Sequence, residues 1–287
     1  MKRLEVDHRV TVLAPAFAVS RSGYYRWRAA KAGVRTMEDA RLKNEIQQLH
    51  GQSRGTYGRP RLVAALRRDG VRTSGRRVAR LLRELGLRAR RKGGHRVRTT
   101  ASRHRLVRWP NRLRELAQAP RQPGVAWVSD MTYVRTREGW LYVAAVLDLA
   151  SRRLLGLAMA PRLDATLPHA ALHQALLRGG ADPHGIIAHS DQGVQYASDL
   201  YQQTLHRHGL LPSMSRRGHC TDNAHMESFW ATLKTELLAG RSLTSRRQTQ
   251  SAIFEYVEVF YNRKRLHSAL GYQSPVDFER QLNYTQT

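Results

Sequence analysis

Three apolar stretches follow one another almost without interruption in the second half of the chain: VAWVSDMTYV at Val125–Val134, WLYVAAVLDLAS at Trp140–Ser151 and RRLLGLAMA at Arg152–Ala160. Only the polar bends Arg137–Gly139 and Ser151–Arg153 separate them, so they predict three successive strands joined by tight turns. After them the pattern alternates. LDATLPHAALHQALLRGG predicts a helix stopped by glycine, GIIAHSDQG a short strand running into a polar loop, DLYQQTLHRHG a second helix and LLPSMS a further strand. Three strands in a row followed by alternating helices and strands point to α/β layers on a mixed sheet. The most apolar run, Trp140–Ala150, is too short to cross a bilayer and carries Asp148, so it reads as a buried strand. No segment reads as a signal peptide, and no membrane partner is expected.

Charge divides the 287 residues differently from hydrophobicity. The chain holds 49 Lys/Arg against 22 Asp/Glu, a formal +27. Residues 1–120 account for 31 of the bases and only 8 of the acids, a net +23, whereas residues 121–287 are close to neutral at +4. The front half is therefore built to lie against a polyanion; the field alone does not separate nucleic acid from an anionic membrane surface. The change falls near APRQPG at Ala119–Gly124, a turn-rich junction. A single cysteine, Cys220, excludes an internal disulfide and a cysteine-rich zinc site, and fits a compartment that keeps thiols reduced.

The front half predicts helices. Ser20 is placed to cap SRSGYYRWR, whose Tyr24, Tyr25 and Trp27 either pack inward or meet a partner. Leu42, Ile46 and Leu49 stripe one helix, YGRPRLVAALRRDG predicts a second entered through Pro60 and closed by Gly70, and Thr73 or Ser74 starts a third ended by Gly86. On that third helix Val78, Leu81, Leu82 and Leu85 face a core while Arg76, Arg80 and Arg83 line another side. Such a face suits either a DNA major groove or plain solvent. The stretch Arg88–Arg105, which includes Arg90, Arg91 and Lys92, has eight bases, no acid and little apolar periodicity, as expected of a segment that tracks phosphates.

Three acids in the near-neutral half stand out. Asp130 sits within the first strand on the face of Val128 and Thr132, Asp191 lies where GIIAHS ends, and Glu227 lies on a helix buried through Met226, Phe229, Trp230, Leu233 and Leu237. Asp222 is placed to cap that helix, and Asn223, Glu227 and Lys234 fall along one side of it. Singly, each acid is weak evidence, since a lone Asp is more often a cap or a surface charge. Together they could converge, and an all-oxygen cluster holds Mg²⁺ or Mn²⁺, two of which clamp the attacking and leaving oxygens of a displacement at phosphorus.

The spacing of Asp130, Asp191, Glu227 and Lys234 resembles the DDE transposase and retroviral-integrase superfamily. Across most of its length the chain resembles the second-frame (OrfB) product of IS3-family insertion sequences. The matching words are YGRPRL at Tyr57–Leu62, WVSDMTYV at Trp127–Val134, HSDQGVQYAS at His189–Ser198, RGHCTDNAHMESFWATLKTE at Arg217–Glu236 and YNRKRLHSALGYQSPVDFE at Tyr261–Glu279. The resemblance implies an RNase H-like core with mixed sheet and flanking helices, preceded by a helix-turn-helix domain. It implies two Mg²⁺ ions, replaceable by Mn²⁺, on Asp130, Asp191 and Glu227, with Lys234 beside the reacting phosphate. It also implies DNA strand cleavage and 3′-OH strand transfer between terminal inverted repeats and target DNA.

The expected division is a helical segment at 1–36, a helix-turn-helix domain at 37–95, a basic linker at 96–122, a catalytic core with helical tail at 123–280 and a terminal tail at 281–287. In the tail, IFEYVEVFYNRKRLHSAL places Ile253, Tyr256, Val259 and Phe260 on an apolar side and Arg263, Lys264 and Arg265 in a basic cluster, a packed helix with a solvated end or a DNA contact. His189 and His225 are expected to hydrogen-bond near the acids rather than hold metal. The family further implies a homo-oligomer on DNA, an upstream-frame (OrfA) protein or fusion as partner, and a place in the bacterial cytoplasm on DNA. No sustained heptad repeat and no His–His–Cys–Cys spacing is present, so neither a coiled coil nor a structural zinc is expected. A non-catalytic DNA-binding regulator, a domesticated remnant and a simple metal-dependent nuclease remain alternatives.

Overall fold

The computed structural model describes residues 1–29, 34–90, 107–179, 182–216, 219–239 and 243–286. The expectations for Arg91, Lys92 and residues 96–106 of the basic linker lie outside these residues.

Helices α1 (Val10–Ala16) and α2 (Arg21–Ala29) form a small pair at the front. Ser20 Oγ accepts the Gly23 N–H at 3.0 Å, and buried Tyr24 donates its hydroxyl to Glu5 at 2.6 Å, while Tyr25 and Trp27 stay exposed. Three further helices, α3 (Val34–Gln52), α4 (Arg59–Arg68) and α5 (Gly75–Glu84), gather Leu42, Ile46, Leu62, Leu66, Val78 and Leu81 into one core. The expected punctuation is visible: Pro60 lies in the first turn of α4, and Ser74 Oγ accepts the Arg77 N–H at 3.2 Å to cap α5.

The second half is a five-stranded mixed sheet ordered β3-β2-β1-β4-β5. β1 (Ala126–Thr136), β2 (Gly139–Asp148) and β3 (Leu154–Ala160) run antiparallel in succession. β4 (Ile187–Ser190) and β5 (Leu211–Met214) add on parallel to β1. Parallel pairing requires crossovers, which α6 (Thr166–Arg178) and α7 (Asp199–Arg207) supply. They cover one face, burying Trp127, Leu172, Tyr201 and Leu205. Contact is close at Gly156, where a Cβ would stand 1.9 Å from the Ala171 carbonyl oxygen of α6. Asp148 is consumed structurally: it accepts the Gly124, Ala150 and Ser151 N–H groups at 2.8–3.0 Å and holds the end of β2. Residues 107–122 are not a free linker throughout. Trp109 Nε1 donates to Gln202 at 2.7 Å and the Arg112 N–H to Ser213 Oγ at 3.0 Å, strapping this stretch over α7 and β5.

The other face carries α8 (Ala224–Leu233) and α9 (Arg246–Glu255), and its buried side chains are continuous with the core of α3–α5. Both helices run on into π-helical turns, Lys234–Leu238 and Tyr256–Tyr261. One expectation is corrected: Ile253, Tyr256, Val257, Phe260 and Tyr261 are buried at the spacing of a single helical face, and Val259 falls off that face and is 45% exposed. Helix α10 (Pro275–Gln286), with the Asp277 N–H on Ser274 Oγ at 3.2 Å, continues through the boundary placed at residue 280.

The helical domain is locked to this face. Tyr57 Oη donates to the Lys264 carbonyl at 3.0 Å and accepts the Leu266 N–H at 2.8 Å, while Arg61 Nε donates to the Leu266 carbonyl at 2.9 Å. At the centre lies Glu236, in the π turn after α8. Buried Arg265 grips it through Nε at 2.9 Å and Nη2 at 2.7 Å, and Tyr256 Oη adds a third bond at 2.7 Å.

Candidate active site

β1 and β4 lie parallel with Val128 opposite His189. Two residues further along each strand direction come Asp130 and Asp191, so adjacent strands deliver both acids to one level of the sheet. Asp191 falls just past the end of β4, where the chain turns. Its Oδ1 accepts the Gly193 N–H at 2.9 Å, and a Cβ at Gly193 would meet that same oxygen at 2.9 Å, so a side chain there would crowd the carboxylate. Asp130 is anchored from two sides: Oδ1 takes the Met131 N–H at 2.8 Å and Oδ2 takes the Trp230 indole N–H at 3.0 Å. Trp230 belongs to α8, so the same helix that carries Glu227 sits against Asp130.

Asp130 and Asp191 line one cleft of about 410 Å³. Burial and then the Asp191 charge push the Asp130 carboxyl up to about 7, against the pull of the Met131 and Trp230 hydrogen bonds; Glu227 adds a smaller push. Glu227 itself is exposed on α8. Its charge is felt at Asp130, yet among the described residues no three His, Cys, Asp or Glu side chains are drawn into a ready metal-holding group. Lys234, at the start of the π turn, stands with its ammonium 6.0 Å from the Tyr133 ring centroid; burial lowers its pKa and Asp130 opposes that shift.

Helix α8 is seated differently from expectation. Asp222 does not cap it. Arg216 clasps Asp222 through its backbone N–H at 2.9 Å and its guanidinium at 3.1 Å, holding that carboxyl well below the usual carboxylate range. Asn223 occupies the cap position and donates Nδ2–H to the Ser129 carbonyl at 3.1 Å, tying the helix start to β1. His189 is buried between Ser213 Oγ (2.8 Å) and Ser215 Oγ (3.0 Å), and burial drives its pKa down to about 4. His225 contacts Arg152, and burial followed by that guanidinium lowers its pKa to about 4.

The basic candidates separate into exposed groups and groups held by acids or backbone of the fold. Arg76, Arg83 and Arg88 are exposed. Arg80 is bound to Asp39 at 2.5 Å and Glu84 at 2.6 Å, and neighbouring Arg77 to Asp39 at 2.7 Å and Glu38 at 3.0 Å. Arg90 reaches the Glu236 carbonyl at 3.2 Å. Arg263 and Lys264 are exposed, but Arg265 is only 5% exposed, and its place in a surface DNA cluster is corrected. Burial alone would depress its pKa; the Glu236 hydrogen bonds reverse that and hold it above the ordinary arginine value. Sequence reasoning missed Glu236, although it lies on the buried side of its helix with Leu233 and Leu237.

An α/β sheet ordered 3-2-1-4-5 with one acid inside β1, a second just past the end of its parallel neighbour β4 and a third on the covering helix defines an integrase-type core behind a helix-turn-helix-like domain. The comparisons agree: an HTH-like domain matches residues 37–95, and integrase core domains match residues 120–220 and 208–275. The chain is 44% identical to the insertion element IS600 31 kDa protein of Shigella sonnei over 94% of its own length and 98% of that protein's. It is 40% identical to the IS904 transposase of Lactococcus lactis, covering 83% of this chain and 93% of that one. Identity to the transposase InsF of insertion sequence IS3A from Escherichia coli is 37%, covering 97% and 96%. The chain belongs to the IS3 family of insertion-sequence transposases, in the DDE transposase and retroviral-integrase superfamily. It is a transposase with an integrase catalytic core, and its two kinds of domain imply DNA as partner. Among the described residues no helix is long and apolar enough to cross a membrane.

Proposed function

We propose that Asp130, Asp191 and Glu227 form the catalytic triad of this transposase and that residues 123–280 cut and rejoin DNA held by residues 37–95. The observation that carries the reading is the delivery of Asp130 and Asp191 by adjacent parallel strands into one cleft, with Trp230 fixing the helix of Glu227 against them. The donor set fits a hard divalent cation: it is all carboxylate oxygen, and Asp130, raised first by burial, is raised further by the Asp191 charge beside it. Mg²⁺, or Mn²⁺ in its place, held by these three acids supplies Lewis acidity at the reacting phosphate and a more acidic water.

The chain's own residues do the rest. Water attacks a phosphodiester at the element end and frees a 3′-OH; that hydroxyl then attacks a second phosphodiester, whose own 3′-oxygen leaves as a new 3′-OH, and no bond to protein forms. Trp230 and the Met131 N–H keep the Asp130 carboxylate in one orientation. Lys234, partly desolvated, steadies a phosphate oxygen beside the cut. Arg76, Arg83 and Arg88 contact phosphates from the helical domain, and Arg263 and Lys264 from the tail. Two element ends require two or more copies on DNA. An upstream-frame product supplies the terminal-repeat reader, and the work takes place in the bacterial cytoplasm.

The test uses labelled duplexes ending in the element's termini, with Mg²⁺, Mn²⁺ or Ca²⁺. Cleavage and strand transfer with the first two, and loss of both in Asp130→Asn and Glu227→Gln with DNA binding equal or tighter, support the reading. Wild-type cleavage by either variant would sink it.

A further inference from the structure

β1 has eleven residues and β4 only four, so Thr132–Thr136 runs on past the end of its parallel neighbour. The cleft of Asp130 and Asp191 has an aromatic wall: Tyr133, Trp140 and Tyr142 line it, together with Val194. The Tyr133 and Trp140 rings meet edge to face at 4.8 Å, and Tyr133 meets Tyr142 at 6.5 Å. These rings are not sealed into a core, for Trp140 is 39% exposed and Tyr133 and Tyr142 are only half-buried. The wall is nevertheless braced. Arg246 Nε donates to the Trp140 carbonyl at 3.1 Å, its backbone N–H to Glu138 at 2.9 Å, and Thr136 Oγ1 closes the β1–β2 turn on the Gly139 carbonyl at 2.8 Å. Two cations stand over the rings, Arg135 at 5.0 Å from the Trp140 centroid and Lys234 at 6.0 Å from that of Tyr133.

We infer that this wall is a stacking site for an unpaired nucleobase beside the reacting phosphate, with Trp140 and Tyr133 as the platform. The inference rests on the catalytic reading of Asp130 and Asp191, which places DNA in the same cleft. Aromatic rings take any base by its π-face, and the flanking cations suit the attached phosphates; an apolar peptide would leave Arg135 and Lys234 unanswered. A base drawn out of the duplex into the cleft brings its phosphate toward the acids and prevents reannealing of the end.

The experiment places 2-aminopurine, one position at a time, in the last nucleotides of each strand of an element-end duplex bound to the full chain. A fluorescence change is expected at one position, lost in Trp140→Ala and kept in Trp140→Phe. Cleavage by Trp140→Ala is expected to fall about 5- to 150-fold on intact duplex, the range of one lost base stack, and to match wild type when that nucleotide is abasic. No position-specific signal, or a Trp140→Ala defect that persists unchanged on the abasic duplex, would overturn the inference. Asp130→Asn keeps the signal, because fluorescence reads binding and not chemistry. A positive signal from a wild type that never cleaves would count against the catalytic reading alone.

Discussion

The seam around Glu236 and the cleft around Asp130 both gather charge in sheltered places, and they treat it in opposite ways. Glu236 has both oxygens occupied, by a bidentate guanidinium and a tyrosine hydroxyl, in a pair whose side chains are 6% and 7% exposed. Asp130 has a backbone N–H and an indole N–H, and its carboxyl is pushed up by burial and a second carboxylate. The first arrangement is complete without a further ion and fixes domain against domain. The second leaves two carboxylates repelling one another, as the proposed cation site requires.

The widest gap between the two regions is expected from removing each acid. Asp130→Asn eliminates strand cleavage and leaves thermal stability unchanged or raised, because it relieves repulsion. Glu236→Ala strands Arg265 in the interior and costs about 3–5 kcal/mol. Chemical denaturation of the two variants checks this. If Asp130→Asn were the more destabilised, the distinction between a structural and a catalytic acid would fail.

A smaller effect sharpens the contrast at the basic residues. Arg76 and Arg83 are exposed on α5, whereas Arg80 between them is held by Asp39 and Glu84. Replacing Arg76 and Arg83 by Ala should reduce the slope of log K against log salt by about 2, roughly one unit for each phosphate no longer neutralised. Arg80→Ala should change that slope less than either. An Arg80→Ala slope equal to that of the double variant would mean that the ion pairs open on DNA.

What the sequence revealed depended on how local the cause was. The strands and the bundle helices were legible because apolar spacing, Ser74 and Pro60 act within a turn or two of themselves. Asp130 was legible as an acid within a strand and Asp191 as one at a strand end, and the family resemblance linked them. Val259 was misplaced because it stands off the stripe of Ile253, Tyr256, Val257, Phe260 and Tyr261, and Glu236 drew no reading because nothing near it in sequence shows the arginine that makes its burial tolerable. Arg265 sits in a basic cluster, yet its partner is 29 positions away; Asp222 looked like a cap, yet Arg216 captures it from the loop beyond β5. The aromatic wall depends on β4 ending at Ser190 while β1 continues, a difference in strand length that no single segment contains.

The seam also carries a titration of its own. His267 is buried, its Nε2 is 3.5 Å from Arg265 Nη1, and its ring meets Tyr261 edge-on at 4.9 Å. Burial first, then the charges of Arg265, Arg61 and Arg152, hold its pKa well below the usual histidine value. The native state therefore keeps this ring neutral while the unfolded chain protonates it near pH 6.5. The contribution to stability is complete above that pH and is lost as pH falls below it. For one such group the loss is about 1.4 kcal/mol at pH 5.5. Urea unfolding at pH 7.5 and 5.5 should show wild type losing that much more than His267→Gln, since other titrating groups contribute to both proteins. Equal losses would mean that the seam opens to water at His267, and that its charges are less sheltered than those of the completed Glu236–Arg265 pair.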